Sequence, residues 1–404
     1  MDLKSGYPFW AVSNGLMHAF PPLREDRSCD VLVVGGGITG ALIAHELCTH
    51  GHDVVLVEQR DIGWGSTAAS TALLQYEIDT HLIDLAKRYG EDDAAKAYRA
   101  CAEAIPALRE VAAGLQGVDC QPMQSLYYAS RRRHRSVLQD EYALRRSHGF
   151  DVRWLDAEQV SEEFGTRAPA AILSGLAARV DPYRLTYRLL MRLAKAGCAV
   201  HDRTALHTLQ PSARGVTATT SDGMRIRARH AVMATGYAGQ HWLKQKVARN
   251  RSSYAFITDP LSRAELGPLA DTMVWESARP YLYMRSTGDH RLLVGGEDDA
   301  VDIPARRDSR VASKTGTLLK HVAKRFPYLP VQPAFSWGGT FAETEDGLPF
   351  FGPHAQWGPR VLFAMAYGGN GITYSMIGAG LLRARIERRR HPMATLFSFE
   401  RLDR

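Results

Sequence analysis

Between Cys29 and Gly51 the apolar positions change from an unbroken run to helical spacing. Residues 30–34 form a short apolar stretch, as a strand buried on both faces does. Glycines follow, residues 41–50 read as a helix that Gly51 ends, and residues 53–58 form a second apolar run. Together these predict a complete βαβ unit in about thirty residues. Residues 82–115 and 136–147 have helical spacing with many charges. Asp156 and Gln159 make a capping-box pattern, and Asp181 with Pro182 opens a helix through Ala196 that Gly197 ends. Short alternating runs at 199–209, 216–220 and 224–228 predict a small antiparallel meander turning at Ser221, Asp222 and Gly223. Residues 231–236 read as another buried strand ending in glycine. The stretch 251–300 is strand-like, with Tyr281, Tyr283 and Arg285 on one face. A helix at about 308–325, a strand at 361–366 and an amphipathic helix at 371–386 complete the pattern, with no internal repeat. The first 28 residues, with Tyr7, Phe9, Trp10 and Phe20, read as an extended arm packed across a domain surface; a lid over an active site is the sharper alternative.

At 404 residues the chain is long enough for two or three domains and for a core that encloses a large ligand. The formal charge of +7 favours anionic partners in principle, but the basic residues are scattered. The exceptions, Arg131, Arg132, Arg133 and Arg135 and then Arg388, Arg389 and Arg390, read as solvated surface, so no nucleic-acid partner is expected. The five cysteines are odd in number, widely spaced and never CxxC, which argues against a disulfide framework or zinc site and fits a reducing cytoplasmic compartment. The N-terminal stretch lacks an apolar signal-peptide core, and no window reaches the ~18 apolar residues of a spanning helix. No HExxH, EF-hand or P-loop pattern occurs, so no metal is expected.

The chemistry begins at Gly35-x-Gly37-x-x-Gly40. Gly35 permits the tight turn, Gly37 lets backbone approach a pyrophosphate, and Gly40 allows close helix–strand packing. Ile38 and Thr39 lie in the turn, and the free N–H groups and dipole of the helix that follows suit phosphate. Glu58, with Gln59 and Arg60 beside it, ends the second strand and can accept ribose hydroxyls while repelling a 2′-phosphate, so NAD or FAD is the choice. Two further segments bear on it. Small residues (Gly65, Ser66, Thr67, Ala69, Ser70 and Thr71, then Leu73) would let a large planar ligand pass close to the backbone. Tyr367, Gly368, Gly369, Asn370, Gly371, Ile372 and Thr373 join a strand to a helix, whose N-terminus would stabilise an anionic reduced flavin.

Together with Thr235 and Gly236 after a buried strand, Gly339, and the turn Asp346–Pro349, this order of motifs resembles the D-amino-acid oxidase superfamily of flavoproteins, which includes glycine, sarcosine and γ-glutamylputrescine oxidases. The resemblance runs from Cys29 to about Leu402. It implies an α/β (overall α+β) chain: an N-terminal arm over 1–28; a discontinuous Rossmann-type FAD-binding domain over 29–80, 150–240 and 335–404; and an antiparallel-sheet substrate domain over 81–149 and 241–334. It also implies that a hydride equivalent passes from the carbon beside an amine to flavin N5, that the imine hydrolyses, and that oxygen (giving hydrogen peroxide) or another acceptor reoxidises the flavin.

The chain departs from the family in places. The arginine clamps that hold a substrate carboxylate in relatives align with Phe341 and with Ala72 and Gln75, which counts against a small free α-amino acid. No cysteine follows Cys198, and Ala68 and Ala69 stand where some relatives carry a flavin-linking histidine, so FAD is expected to be held non-covalently. Tyr367 replaces a frequent histidine. A carboxylate clamp elsewhere is the expected role of Arg279, Tyr281, Tyr283 and Arg285 on a strand pair roofing the flavin, with Tyr254 and His354 as further candidates. The resulting expectation is oxidation of an amine or N-substituted amino acid, on the γ-glutamylputrescine-oxidase side of the family. The rivals are a 2-hydroxy-acid dehydrogenase serving a quinone or electron-transfer partner, and a flavin-binding interaction protein without turnover.

Overall fold

A computed structural model describes residues 2–403; Met1, the start of the expected arm, and Arg404, the end of the expected cofactor domain, lie outside them. Two sheets organise the chain. In the first, Val361–Met365, Arg225–Met233, Arg27–Val34, Val54–Val57 and Ala199–His201 run parallel in that order, with Phe350–Pro353 antiparallel at one edge. Val31 to Val34 and Val54 to Val57 are buried throughout, as strands covered on both faces must be. The helices Ile38–Thr49, Pro182–Lys195 and Gly371–Ile386 pack together over this sheet.

The second sheet has nine strands: Pro333–Glu343, Arg249–Thr258, Leu292–Asp299, Leu282–Ser286, Thr272–Glu276, Gln121–Tyr128, Ala170–Arg179 and Leu73–Gln75, with Val152–Asp156 added beside Ala170–Arg179. All its pairs are antiparallel except Thr272–Glu276 with Gln121–Tyr128. The helix Pro304–Arg325 covers part of it over a separate apolar core that includes Phe256, Val294, Leu318 and Val322. Segments expected with the cofactor domain, namely 73–75, 152–156, 170–179 and 335–343, thus supply strands to this second sheet.

The local signals hold in several places. Asp156 and Gln159 form the capping box of Ala157–Phe164, and Asp181 accepts the N–H groups of Tyr183 and Arg184 at the start of its helix. Gly90, at φ +86°, splits the long helical stretch into Leu82–Tyr89 and Glu91–Ala113. Three expectations are corrected. The run 199–209 breaks after His201, where buried Asp202 accepts the Phe20 N–H and Arg203 turns left-handed, so 199–201 joins the parallel sheet instead of the meander. Residues 225–233 are one strand: its first half alternates in burial beside the meander and its second half is enclosed in the parallel sheet. The arm is not wholly extended, because Phe9–Asn14 is a helix. Among the described residues, no helix is long and apolar enough to cross a membrane.

Candidate cofactor and substrate site

The two sheets share one cavity of about 460 Å3, lined by the βαβ turn, the small-residue segment, the glycine loop before Gly371–Ile386, and one face of the nine-stranded sheet. At Gly35 the backbone has φ +115°, and a Cβ would stand 2.3 Å from the Ala234 carbonyl oxygen, just past the neighbouring strand. A Cβ on Gly40 would lie 1.9 Å from the Gly35 carbonyl oxygen, so this glycine lets the helix press on the turn, and it does not line the cavity. Gly37 starts the helix Ile38–Thr49 without a side-chain cap. Glu58 is anchored at both oxygens: Gly36 N–H donates to Oε2 at 2.8 Å and Arg60 N–H to Oε1 at 2.9 Å. Burial pushes its carboxyl up and those two amides oppose the shift; the remaining lone pairs are available to hydroxyl donors.

The small-residue segment is held from behind. Trp337 Nε1 donates to the Ala69 carbonyl at 2.9 Å, Trp10 Nε1 to Ser70 at 2.8 Å and Arg285 Nε to Thr71 at 2.7 Å. Its other side forms cavity wall. Opposite in sequence, Gly368 adopts φ +91°, Gly369 N–H donates to Asp79 Oδ2 at 2.9 Å, and Asn370 Nδ2 donates to the Gln75 and Glu77 carbonyls. Asn370 is thereby engaged elsewhere and gives no side-chain cap to Gly371–Ile386, which leaves the first amides of a sixteen-residue helix for a ligand. Tyr367 donates to the Gly236 carbonyl at 3.2 Å, tying the two turns together.

Every cofactor residue expected from the sequence lines this cavity except Gly40 and Thr373, whose hydroxyl reaches the Gln75 carbonyl at 3.4 Å. The arm contributes too. Leu3 lines the cavity, its carbonyl accepts the Thr340 N–H at 2.8 Å, and Ser5 N–H donates to Gly338. Lys4 is buried with its Nζ 3.8 Å from the centre of the Trp64 ring. These contacts make the start of the arm part of the cavity wall. An elongated cofactor needs donors for its phosphates and close backbone, and both are present. Ser66 Oγ and Thr235 Oγ1 are buried without partners and line the cavity, as polar atoms meant for a ligand would. The residues fit FAD.

The expected substrate residues divide. Tyr281 and Tyr283 line the cavity, their rings 5.5 Å apart; Tyr281 donates to Asp79 Oδ1, and the Tyr283 hydroxyl meets Ser253 Oγ at 3.1 Å. Burial pushes both phenols up, so both stay protonated. Arg279 does not line the cavity: it stacks at 4.4 Å on Tyr281 and donates to the Asp79 carbonyl. Arg285 is corrected outright. It shares a face with Tyr283 but is fully buried beyond the cavity, where its guanidinium donates to the Thr71, Val180 and Ser286 carbonyls and leaves no arm for a carboxylate. His354 packs against Phe363 and Phe399, away from the cavity, while Tyr254 lines it with its hydroxyl on Asp299. The sequence reading missed Asp79, Ser253, Trp275 and Asp298, all of which line the cavity. Asp79 lies beyond the small-residue segment, past the strand Leu73–Gln75, and no local motif in the sequence marks it.

This geometry defines an FAD-dependent oxidoreductase. The profile of the FAD dependent oxidoreductase family, DAO, matches residues 30–385, and the chain belongs to that family. It is 27% identical over 395 residues to gamma-glutamylputrescine oxidoreductase of Escherichia coli (strain K12), covering 94% of this chain and 89% of that one. It is 28% identical over 374 residues to glycine oxidase of Geobacillus kaustophilus (strain HTA426), covering 89% and 93%. The crystal structure of glycine oxidase from Geobacillus kaustophilus superposes with a TM-score of 0.75 at 22% identity, over 92% of this chain and 98% of that one, which shows a common fold.

Proposed function

We propose that this enzyme oxidises an amine or N-substituted amino acid at its C–N bond, using FAD held non-covalently. The observation that carries the reading is the continuity of one cavity from Glu58 and the Gly35 turn to Tyr281, Tyr283 and Trp275 on the nine-stranded sheet. Bound FAD supplies the acceptor for the two electrons and two hydrogens that the substrate loses in becoming an imine. The Gly371–Ile386 helix directs its N-terminus at the site, where it opposes the negative charge that arises on reduction. The Tyr281 and Tyr283 hydroxyls orient the substrate, and the roof of buried aromatic side chains excludes water until the imine leaves and hydrolyses to a carbonyl compound and ammonia or amine. Similarity to a glycine oxidase and a gamma-glutamylputrescine oxidoreductase supports the amine class over a hydroxy acid. Oxygen, or another electron acceptor, completes the cycle, and the five free cysteines fit a reducing cytoplasmic setting.

The test is anaerobic absorbance of the purified holoenzyme during additions of amines, amino acids and 2-hydroxy acids. Bleaching of the oxidised flavin band by an amine, with recovery in air or with an added acceptor, is the expected result. Bleaching by a hydroxy acid alone overturns the reading.

A further inference from the structure

The substrate end of the cavity is acidic. Among the described residues that line it, Arg60, whose main-chain N–H donates to Glu58 at the other end, is the one arginine, and there is no lysine. The three positions where a carboxylate clamp was sought, Ala72, Gln75 and Phe341, all line it and carry no charge. Asp79 and Asp298 line it as well. Asp79 is committed to the Tyr281 hydroxyl and the Gly369 amide. Asp298 is only partly engaged: Ser253 is its hydrogen-bonding neighbour, while its Oδ1 is buried without a hydrogen-bond partner.

Asp298 reaches the cavity through a β-bulge. Arg249–Thr258 and Leu292–Asp299 pair Tyr254 with Gly296 and Ser252 with Asp299, so Ser253 alone stands opposite both Glu297 and Asp298. Glu297 takes a left-handed φ of +56° and turns to Lys314 on the covering helix. Tyr283 pairs with Gly295, so strict alternation gives the next place on that face to residue 297; the bulge gives it to Asp298. A carboxylate with one oxygen buried and unpartnered is costly unless a cation meets it.

We propose that Asp298 is the binding site for the positive charge of the substrate, and that the substrate is an alkylammonium with no carboxylate beside the reacting carbon. This rests on the amine-oxidation reading and narrows it. The groups facing Asp298 are Asp79 and Glu343, which disfavour its charge, Arg279, which favours it, and the Tyr281 and Tyr283 phenols. Burial pushes the carboxyl up to about 7; the Ser253 hydrogen bond and Arg279 oppose the shift, and Asp79 and Glu343 add to it. A bound cation needs the ionised form, so cation affinity rises as pH climbs through that value, by about tenfold between roughly pH 6 and 8.

The test titrates wild-type holoenzyme with butyltrimethylammonium, which cannot form an imine, and with butanoate, and reads the shift of the flavin band. The cation is expected to bind, more tightly at the higher pH, and butanoate not to bind. Asp298→Asn weakens cation binding by about tenfold or more and flattens its pH dependence. Should that variant fail to retain FAD, the wild-type comparison of cation with anion across pH still decides. Preferential binding of butanoate, or cation affinity indifferent to both pH and Asp298→Asn, overturns the proposal. The amine-oxidation reading fails separately: if glycine or sarcosine bleaches the flavin as readily as butylamine, only the cation site falls, whereas bleaching by hydroxy acids alone removes both.

Discussion

Arg285→Met distinguishes a substrate arginine from a structural one. Arg285 is wholly buried, with donations to Thr71 at 2.7 Å, Val180 at 2.9 Å and Ser286 at 3.0 Å, and its guanidinium lies 5.6 Å from the Trp10 ring. Burial lowers its pKa to about 10, which still leaves it charged at neutral pH. Hydrogen bonds from a charged donor contribute about 1.5–3 kcal/mol each, so three represent roughly 4–9 kcal/mol of gross interaction. Methionine fills much of the volume and removes the desolvation cost of the cation, but it leaves three buried carbonyls without donors. The net loss is about 3–5 kcal/mol, in the range for breaking a buried charged network. The assay is urea unfolding at fixed excess FAD, followed by tryptophan fluorescence, alongside kcat and KM for the active amine. Stability should fall by that amount and FAD should bind less tightly, since Thr71 is cavity wall, while the enzyme that remains loaded keeps its KM. An unchanged unfolding midpoint with a KM raised tenfold or more would refute the argument and return Arg285 to the substrate.

Gly35→Ala should yield protein that folds poorly or emerges without flavin. The φ of +115° costs a non-glycine residue about 1–3 kcal/mol, and the added Cβ meets the Ala234 carbonyl at 2.3 Å; the flavin-to-protein absorbance ratio after purification checks this. A chain starting at Glu25 loses Leu3 from the cavity wall and the Trp10 bond to Ser70, so it should release FAD at least about tenfold more readily, read by recovery of free-flavin fluorescence. Arg145→Met should destabilise the fold by about 3–5 kcal/mol, because Arg145, Glu141 and Glu77 form a fully buried ion cluster behind the Asn370 loop. Burial raises the Glu141 carboxyl, but Arg145, His81 and the amides of Ile83 and Leu82 outweigh it and hold the carboxyl below its ordinary value. That stabilisation is complete above about pH 4.3 and is lost as pH falls through the lower folded value, so the gap between wild type and Arg145→Met should narrow in acid, as urea midpoints from pH 7 to 3 would show.

The cofactor half of the site was legible because its requirements are local. A tight turn, a close backbone approach and a helix start each demand particular residues within a few positions, so Gly35, Glu58 and Gly368 could be read in place. The substrate half depends on where strands end and how they register, and period-two alternation does not carry that information. Alternation correctly put Tyr281, Tyr283 and Arg285 on one face. It could not show that the cavity stops at Tyr283 and that Thr71 and Val180 close over the next residue on that face. In the partner strand, the same rule extended through Leu293 and Gly295 selects Glu297, and the bulge opposite Ser253 replaces it with Asp298. The two shifts act together on charge: one removes an arginine from the site and the other adds a carboxylate. On the proposed reading, a roof expected to clamp an anion becomes one suited to a cation, from the same strands and with no change in fold. On that reading, the sign of this substrate's charge turns on a single unpaired residue in one ladder, and for that reason it is the register, more than composition, that must be known before a substrate is assigned.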